Sequence, residues 1–260
     1  MDAKSKRRRA RRAFTLVEML TVIVIIGILA SLITAAVIAA RNRAKIAAIK
    51  MEISDLEQNI ISYENKYGPM PDFTDQDAVL VHLKIRFPKW RPGQGASPNF
   101  SGQSPASAIV FFLGGMADGN GGVMGFNSNP KNPFASGGSR TTPLFDFDQR
   151  RLREDDNGAL VYVPDTGDET AVAPYVYFRS DERRNGYENM QCSVSGGTVR
   201  PYRNVETDKW ANPQKFQIIS AGLDGLFGNG VAYPLGEDYD VENFDNITNF
   251  VDGKLEDAIP

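Results

Sequence analysis

The sequence predicts an α+β protein: one long amino-terminal helix, membrane-spanning in its first half, packed on an antiparallel β-sheet head. Three observations predict it. A basic block runs straight into a long apolar stretch, Phe14–Ala40. Apolar residues then recur every three or four positions as far as Tyr67. Beyond Gly68 come short β-branched and aromatic runs separated by Gly, Pro and Asn.

Lys4, Lys6, Arg7, Arg8, Arg9, Arg11 and Arg12 make residues 1–13 a basic leader. Positive charge next to an apolar run holds that end on the cytoplasmic side, so the remainder faces outward. At ~1.5 Å per residue, Phe14–Ala40 makes a helix of roughly 40 Å, enough for a ~30 Å hydrocarbon core. A cleaved secretory signal has an apolar core of only about 7–15 residues. Here Arg41-Asn42-Arg43 follows the long run, as suits an anchor that stays in the bilayer.

Glu18 is the one formally charged side chain between Phe14 and Ala40. An acid in a membrane helix costs on the order of 2.5–3.5 kcal/mol, less near the interface, and marks function. A free α-amino group, created by cutting before Phe14, is the natural partner. Between chains, the amine of one helix pairs with Glu18 of its neighbour where screening is weak. Such a pair sets axial stagger as a buried polar residue sets coiled-coil register. The expected subunit polymerises through its membrane helix.

Ala13-Phe14-Thr15-Leu16-Val17-Glu18-Met19-Leu20 resembles the processing site of type IV pilins and type II secretion pseudopilins, and Gly27 and Ala30 also match. The resemblance implies cleavage between Ala13 and Phe14 by a membrane aspartic prepilin peptidase, methylation of Phe14, and assembly through Glu18. Two positions depart from the pattern. Ala13 stands where the family usually has Gly, and Ala35 where many members have a Pro that lets the helix melt in the filament.

Past Ala40, Ile46, Ile49, Ile53, Leu56, Ile60, Tyr63 and Tyr67 form one apolar stripe flanked by Lys45, Lys50, Glu52, Asp55, Glu57 and Glu64. A coiled-coil seam has the same spacing, but a large outward domain is present to receive the stripe. Gly68-Pro69 and Pro71 stop the helix. The expected organisation is therefore a leader, 1–13; a transmembrane and polymerisation segment, 14–40; an amphipathic continuation, 41–68; and a globular head, 69–260, with an acidic loop at 220–250.

In the head, Asp72–Trp90 reads as a short helix carrying Val79, Leu80, Leu83 and Phe87. Residues 91–143 are a loop-rich insertion interrupted by Ser104–Leu113. There a Ser–Pro pair suits N-cap and N1 of a buried helix ending at Gly114-Gly115. Strands are expected at Leu160–Val163, Pro174–Phe178 and, most clearly, Lys215–Ser220. Removing the leader's net +6 takes the formal charge from −3 to about −9, so the exported chain is acidic and excludes nucleic acid as a partner.

Catalytic chemistry is absent from the expectation. His82 is the sole histidine, on an apolar helix face, and reads as structural. Cys192 is the sole cysteine, so no intrachain disulfide exists. Asp118-Gly119-Asn120-Gly121-Gly122 reads as a turn. Asp146, Asp148, Asp155 and Asp156 read as loop acids, and Tyr175, Tyr177 and Phe178 as core.

Residues 220–250 carry Gly222, Gly225, Gly228 and Gly230 with Asp224, Glu237, Asp238, Asp240, Glu242 and Asp245. Composition alone gives a solvated acidic loop, without the ligand spacing of an EF-hand. Yet Ser220–Gly225 and Asp245–Phe250 resemble the calcium loop of the major type II secretion pseudopilin. The resemblance implies calcium held by Asp224, Asp245 and Asn246, with carbonyls from Ile219 or Gly222 and with Asp238 or Asp240 as substitutes.

Taken together, the resemblance implies a structural subunit, not an enzyme. It would be anchored by one pass in the inner membrane with a periplasmic head, and assembled with other pilin-like subunits by an inner-membrane platform into a type II secretion pseudopilus. A type IV pilus-like surface filament and an uncleaved, membrane-anchored exported binding protein are the alternatives.

Overall fold

The computed structural model describes residues 15–167, 173–181, 186–228, 232–233 and 241–258. Two compact units divide the chain, Met1–Arg43 and Ala44–Pro260. Helix α1, Leu16–Tyr67, begins in the first and continues in the second.

Within the first unit the helix is exposed along its length, including Leu16, Ile23, Ile26, Leu32 and Ile33. Length and composition are sufficient to cross a membrane. Its hydroxyls are satisfied inside the helix: Thr21 Oγ1 donates to Val17 O, Ser31 Oγ to Ile28 O and Thr34 Oγ1 to Ala30 O, each at 2.8 Å. In an apolar surrounding this removes the penalty of an unpaired donor. The helix runs unbroken through Gly27 and Ala35.

In the second unit α1 buries Ile49, Ile53, Leu56, Ile60 and Tyr63, the stripe expected from the spacing. It ends where Gly68, at φ 83°, donates its N–H to Glu64 O. A left-handed residue there suits glycine, which carries no Cβ penalty. Helix α2 spans Gln76–Arg86, capped by Asp75, whose carboxylate accepts from the N–H groups of Asp77 and Ala78. The helix expected over Ser104–Leu113 begins later: residues 105–107 form a turn, 108–109 are helical, and a π-helical segment follows at Val110–Gly114. The cap is also not the expected one, because Ser107 Oγ takes the Ser104 N–H and donates back to Ser104 O.

Among the described residues the strands form four small sheets. β1 (Leu152–Glu154) pairs with β2 (Leu160–Tyr162), and β4 (Cys192–Val194) with β5 (Gly197–Val199), both antiparallel. The central sheet has β8 (Phe216–Ser220) between β3 (Val176–Arg179) and β10 (Ile247–Thr248), again antiparallel. The fourth joins β6 (Arg203–Asn204) to β7 (Lys209–Trp210) and, in parallel, to β9 (Ala232–Tyr233).

The central sheet is covered on both faces. Tyr175, Tyr177, Phe216 and Ile218 join the helix stripe in one core, while Val176, Phe178 and Ile219 join Tyr187, Tyr202, Phe227 and Leu255 in another. This is the period-two alternation of a strand with both sides buried. Gln217 lies wholly buried in β8, yet its amide accepts from Tyr202 N and donates to Tyr202 O and Ala211 O. Cys192 is buried in the second core, and burial pushes its thiol pKa up, so it is not poised as a thiolate.

Charged residues beside the stripe fasten α1 to the head. Glu52 accepts from both terminal nitrogens of Arg151, from Tyr162 Oη at 3.0 Å and from Tyr175 Oη at 2.5 Å. Arg151 lies over the Tyr162 ring at 4.4 Å and donates Nε to Val163 O. Lower down the helix, Glu64 takes Arg179 Nη1 at 2.7 Å and the Met70 N–H at 3.1 Å. Lys50 Nζ donates to Thr248 O and Val251 O at 2.7 and 2.5 Å.

Glu52→Ala strands one guanidinium and two phenols, so urea unfolding of the full-length protein in detergent is expected to show a loss of about 3 kcal/mol. A loss below about 0.5 kcal/mol, typical of an exposed pair, would contradict the clamp.

Candidate functional site: the amino-terminal helix and the carboxy-terminal loop

Ala13 and Phe14 lie outside the described residues. The first described turn holds Glu18, whose Oε2 accepts from Thr15 N at 2.9 Å and Thr15 Oγ1 at 2.8 Å. Thr15 Oγ1 in turn receives the Glu18 N–H at 3.2 Å. This reciprocal pairing at a spacing of three is a capping box. It holds the carboxylate against the first turn, where the helix dipole favours negative charge.

At the other end of the chain, β8 runs into a turn whose geometry rests on Gly222 and Asp245. Asp245 Oδ2 accepts from Leu223 N at 2.7 Å and Asp224 N at 3.2 Å. Burial pushes its carboxyl up to about 6, and the neighbouring Asp224 charge adds to the shift. Gly222 sits at φ 66°, and a Cβ there would lie 2.2 Å from Asp245 O and 2.5 Å from Asp245 Cγ. Asn246 is fully buried, and its Nδ2 donates to Tyr202 Oη at 2.9 Å and Phe227 O at 2.8 Å.

The sequence-expected ligands Asp224 and Asp245 are thus brought together, and Asn246 stands next in the chain with its amide turned into the second core. Asp238 and Asp240 lie outside the described residues. Four oxygens on this strand pair and its approach are buried without a hydrogen-bond partner: Ser220 Oγ, Asp245 Oδ1, Asn246 Oδ1 and Thr248 Oγ1. Among the described residues no group of three or more His, Cys, Asp or Glu side chains is placed to hold a metal.

The remaining candidates are structural. His82 is buried with Nε2 2.6 Å from Tyr63 Oη. Asp118 Oδ1 accepts from Asn120 N and Gly122 N, closing the expected turn. Asp155 does the same with Asn157 N and Ala159 N. Asp148 caps Gln149–Arg151 and pairs with Arg150, which holds its carboxyl down at about 2.

The amino terminus carries a prokaryotic N-terminal methylation motif. The family model of that description matches residues 8–34, from the basic block through Glu18 to Thr34. Neither the curated proteins nor the solved structures gave a match to this chain. The motif supports a type IV pilin-like prepilin that prepilin peptidase processes, a structural subunit rather than an enzyme, and it suggests assembly with other pilin subunits. With the apolar helix, it is consistent with a membrane-anchored pilin-like protein.

Gly222→Ala must both strain a left-handed residue and collide with Asp245, so a loss of about 2 kcal/mol in denaturant unfolding is expected. An unchanged midpoint would show that the turn does not depend on this close approach.

Proposed function

We propose that the chain is a structural subunit of a type II secretion pseudopilus, cut between Ala13 and Phe14, methylated on Phe14 and assembled through its amino-terminal helix. The methylation motif leading directly into a helix that carries Glu18 in its first turn is the observation that carries this reading. The Gly222-Leu223-Asp224-Gly225 turn after β8 and the lack of a second cysteine favour the secretion branch over pili, which commonly close this region with a disulfide.

In the assembled filament the Phe14 amine of one subunit meets the Glu18 carboxylate of its neighbour. Thr15 orients that carboxylate from within the same chain, so the acid is held in place before its partner arrives. The pair would set the axial stagger of neighbouring helices, which makes Glu18 a register mark rather than a catalytic group.

Calcium belongs to the same reading. The partnerless oxygens of Asp245 and Asn246 are hard donors of the type calcium takes. Asp224 stands beside Asp245 in the turn, and Asp238 and Asp240, the proposed substitute ligands, lie outside the described residues. Bound at this loop, the ion would neutralise two neighbouring carboxylates and fasten the segment in a head that has no disulfide.

Two measurements test the parts separately. Glu18→Ala is expected to abolish filament assembly in cells while circular dichroism shows the head folded; normal assembly would refute the register role. For the loop, calcium at about 100 times its dissociation constant is expected to stabilise the full-length protein in detergent by about 2.7 kcal/mol. Calorimetry with neither binding heat nor a rise in melting temperature would remove calcium from the account.

A further inference from the structure

His82 lies where α2 packs on α1. Its ring stacks on Tyr63 with centroids 5.5 Å apart and meets the Phe112 ring edge-on at 5.6 Å. One turn along α2, the Arg86 guanidinium stands over the rings of Tyr63, Tyr67 and Phe126 at 4.9, 5.0 and 4.4 Å. It donates Nη1 to Tyr63 Oη at 3.2 Å and to Phe112 O at 2.8 Å.

A guanidinium can only donate, so Tyr63 Oη accepts from Arg86. Burial and the Arg86 charge favour a neutral imidazole, and with its hydrogen on Nδ1 the ring offers Nε2 as the acceptor for the Tyr63 hydroxyl. A second proton on Nε2 would turn the acceptor into a donor. Tyr63 Oη would then face two cations, and its own hydrogen would lose its acceptor. Burial and the Arg86 charge accordingly lower the His82 pKa to about 4, and burial pushes the Tyr63 phenol up to about 12.

The same ring borders a cavity of about 460 Å³ that is open to solvent, which gives protons access without unfolding. Tyr63 from α1 is the hydrogen-bond partner of His82 and Arg86 from α2 the charge that acts on it, while Asp72 and Asp75 from the α1–α2 connection, Arg179 at the end of β3 and Asp181 just beyond it line the same cavity. Arg179 is engaged by Glu64. The π-helical segment contributes Phe112, which does not titrate.

We propose that His82 is an acid-triggered latch: protonation breaks its bond to Tyr63, turns the imidazolium toward the carboxylates of the adjoining cavity and releases α2 from α1. The latch holds whether or not the chain polymerises. Its sign follows from linkage, because the folded-state value of about 4 lies below the ordinary 6.5. The stabilisation is complete above about pH 6.5 and is lost as pH falls through 4, shifting the closed-to-open ratio by roughly 300-fold once pH is below that value.

Hydrogen–deuterium exchange of the full-length protein in detergent, corrected for intrinsic rates, reads this directly. Between pH 6.5 and 4 the amides of Gln76–Arg86 are expected to lose at least tenfold protection while those of Phe216–Ser220 keep theirs. His82→Gln, which cannot charge, is expected to keep α2 protected to pH 4. Wild-type α2 that stays protected at pH 4, or a His82→Gln variant that opens along the same pH curve, would overturn the latch. If His82→Gln is already open at neutral pH, Tyr63→Phe decides. Loss of the hydroxyl that donates to Nε2 should raise the opening midpoint, and an unchanged midpoint would overturn the latch.

Discussion

Glu52 is a carboxylate placed beside an apolar helix face, and the head is organised around keeping it partnered. Arg151 presents its guanidinium fork from the residue before β1, Tyr162 its hydroxyl from β2, and Tyr175 its hydroxyl from the residue before β3. One side chain of α1 thus fixes three separate segments of the head. The apolar stripe supplies most of the burial, but burial is non-directional and would tolerate a helix that rotates or slides. A bidentate ion pair with two further hydrogen bonds does not, because any shift leaves a half-buried charge unpaired. Glu64, farther along the helix, repeats the device at Arg179, and Lys50, two residues before Glu52, does so at the Thr248 and Val251 carbonyls.

That arrangement explains which parts of the fold were legible. The stripe from Ile46 to Tyr67, the glycine stop at Gly68 and the apolar strand at Lys215–Ser220 each carry a local period or stop signal, and each is found in place. Glu52 carries no such signal. It looks like any charge flanking an amphipathic helix, and its partners stand 99, 110 and 123 residues away. Gln217 is similar: a polar residue in an apolar strand, explained by the distant backbone of Tyr202 and Ala211. The parallel β6–β9 pair involves two residues on each strand, too short for a pattern to register. The Ser104-Pro105 start was read with the right chemistry but the wrong bond, because Ser107 supplies the hydroxyl.

The candidate sites divide along the same line. The amino-terminal motif is contiguous, so its residues could be read directly, and the family match over residues 8–34 covers the same stretch. What sequence did not give was the Thr15–Glu18 capping box, although its spacing of three was in view. The carboxy-terminal loop is built from two distant halves. Its glycines signalled a turn, and Gly222 against Asp245 shows why one of them is needed. The inward turn of the Asn246 amide toward Tyr202 and Phe227 depends on packing that no local pattern encodes.

A costly acid at the start of a helix long and apolar enough to cross a membrane makes sense if a new amine is created beside it, and the proposed cleavage before Phe14 would create that amine. Mass spectrometry of the amino-terminal peptide from the mature protein, isolated from membranes, tests this most directly. The account predicts a peptide that begins at N-methylated Phe14, and a peptide that retains the intact basic leader from Met1 would contradict it.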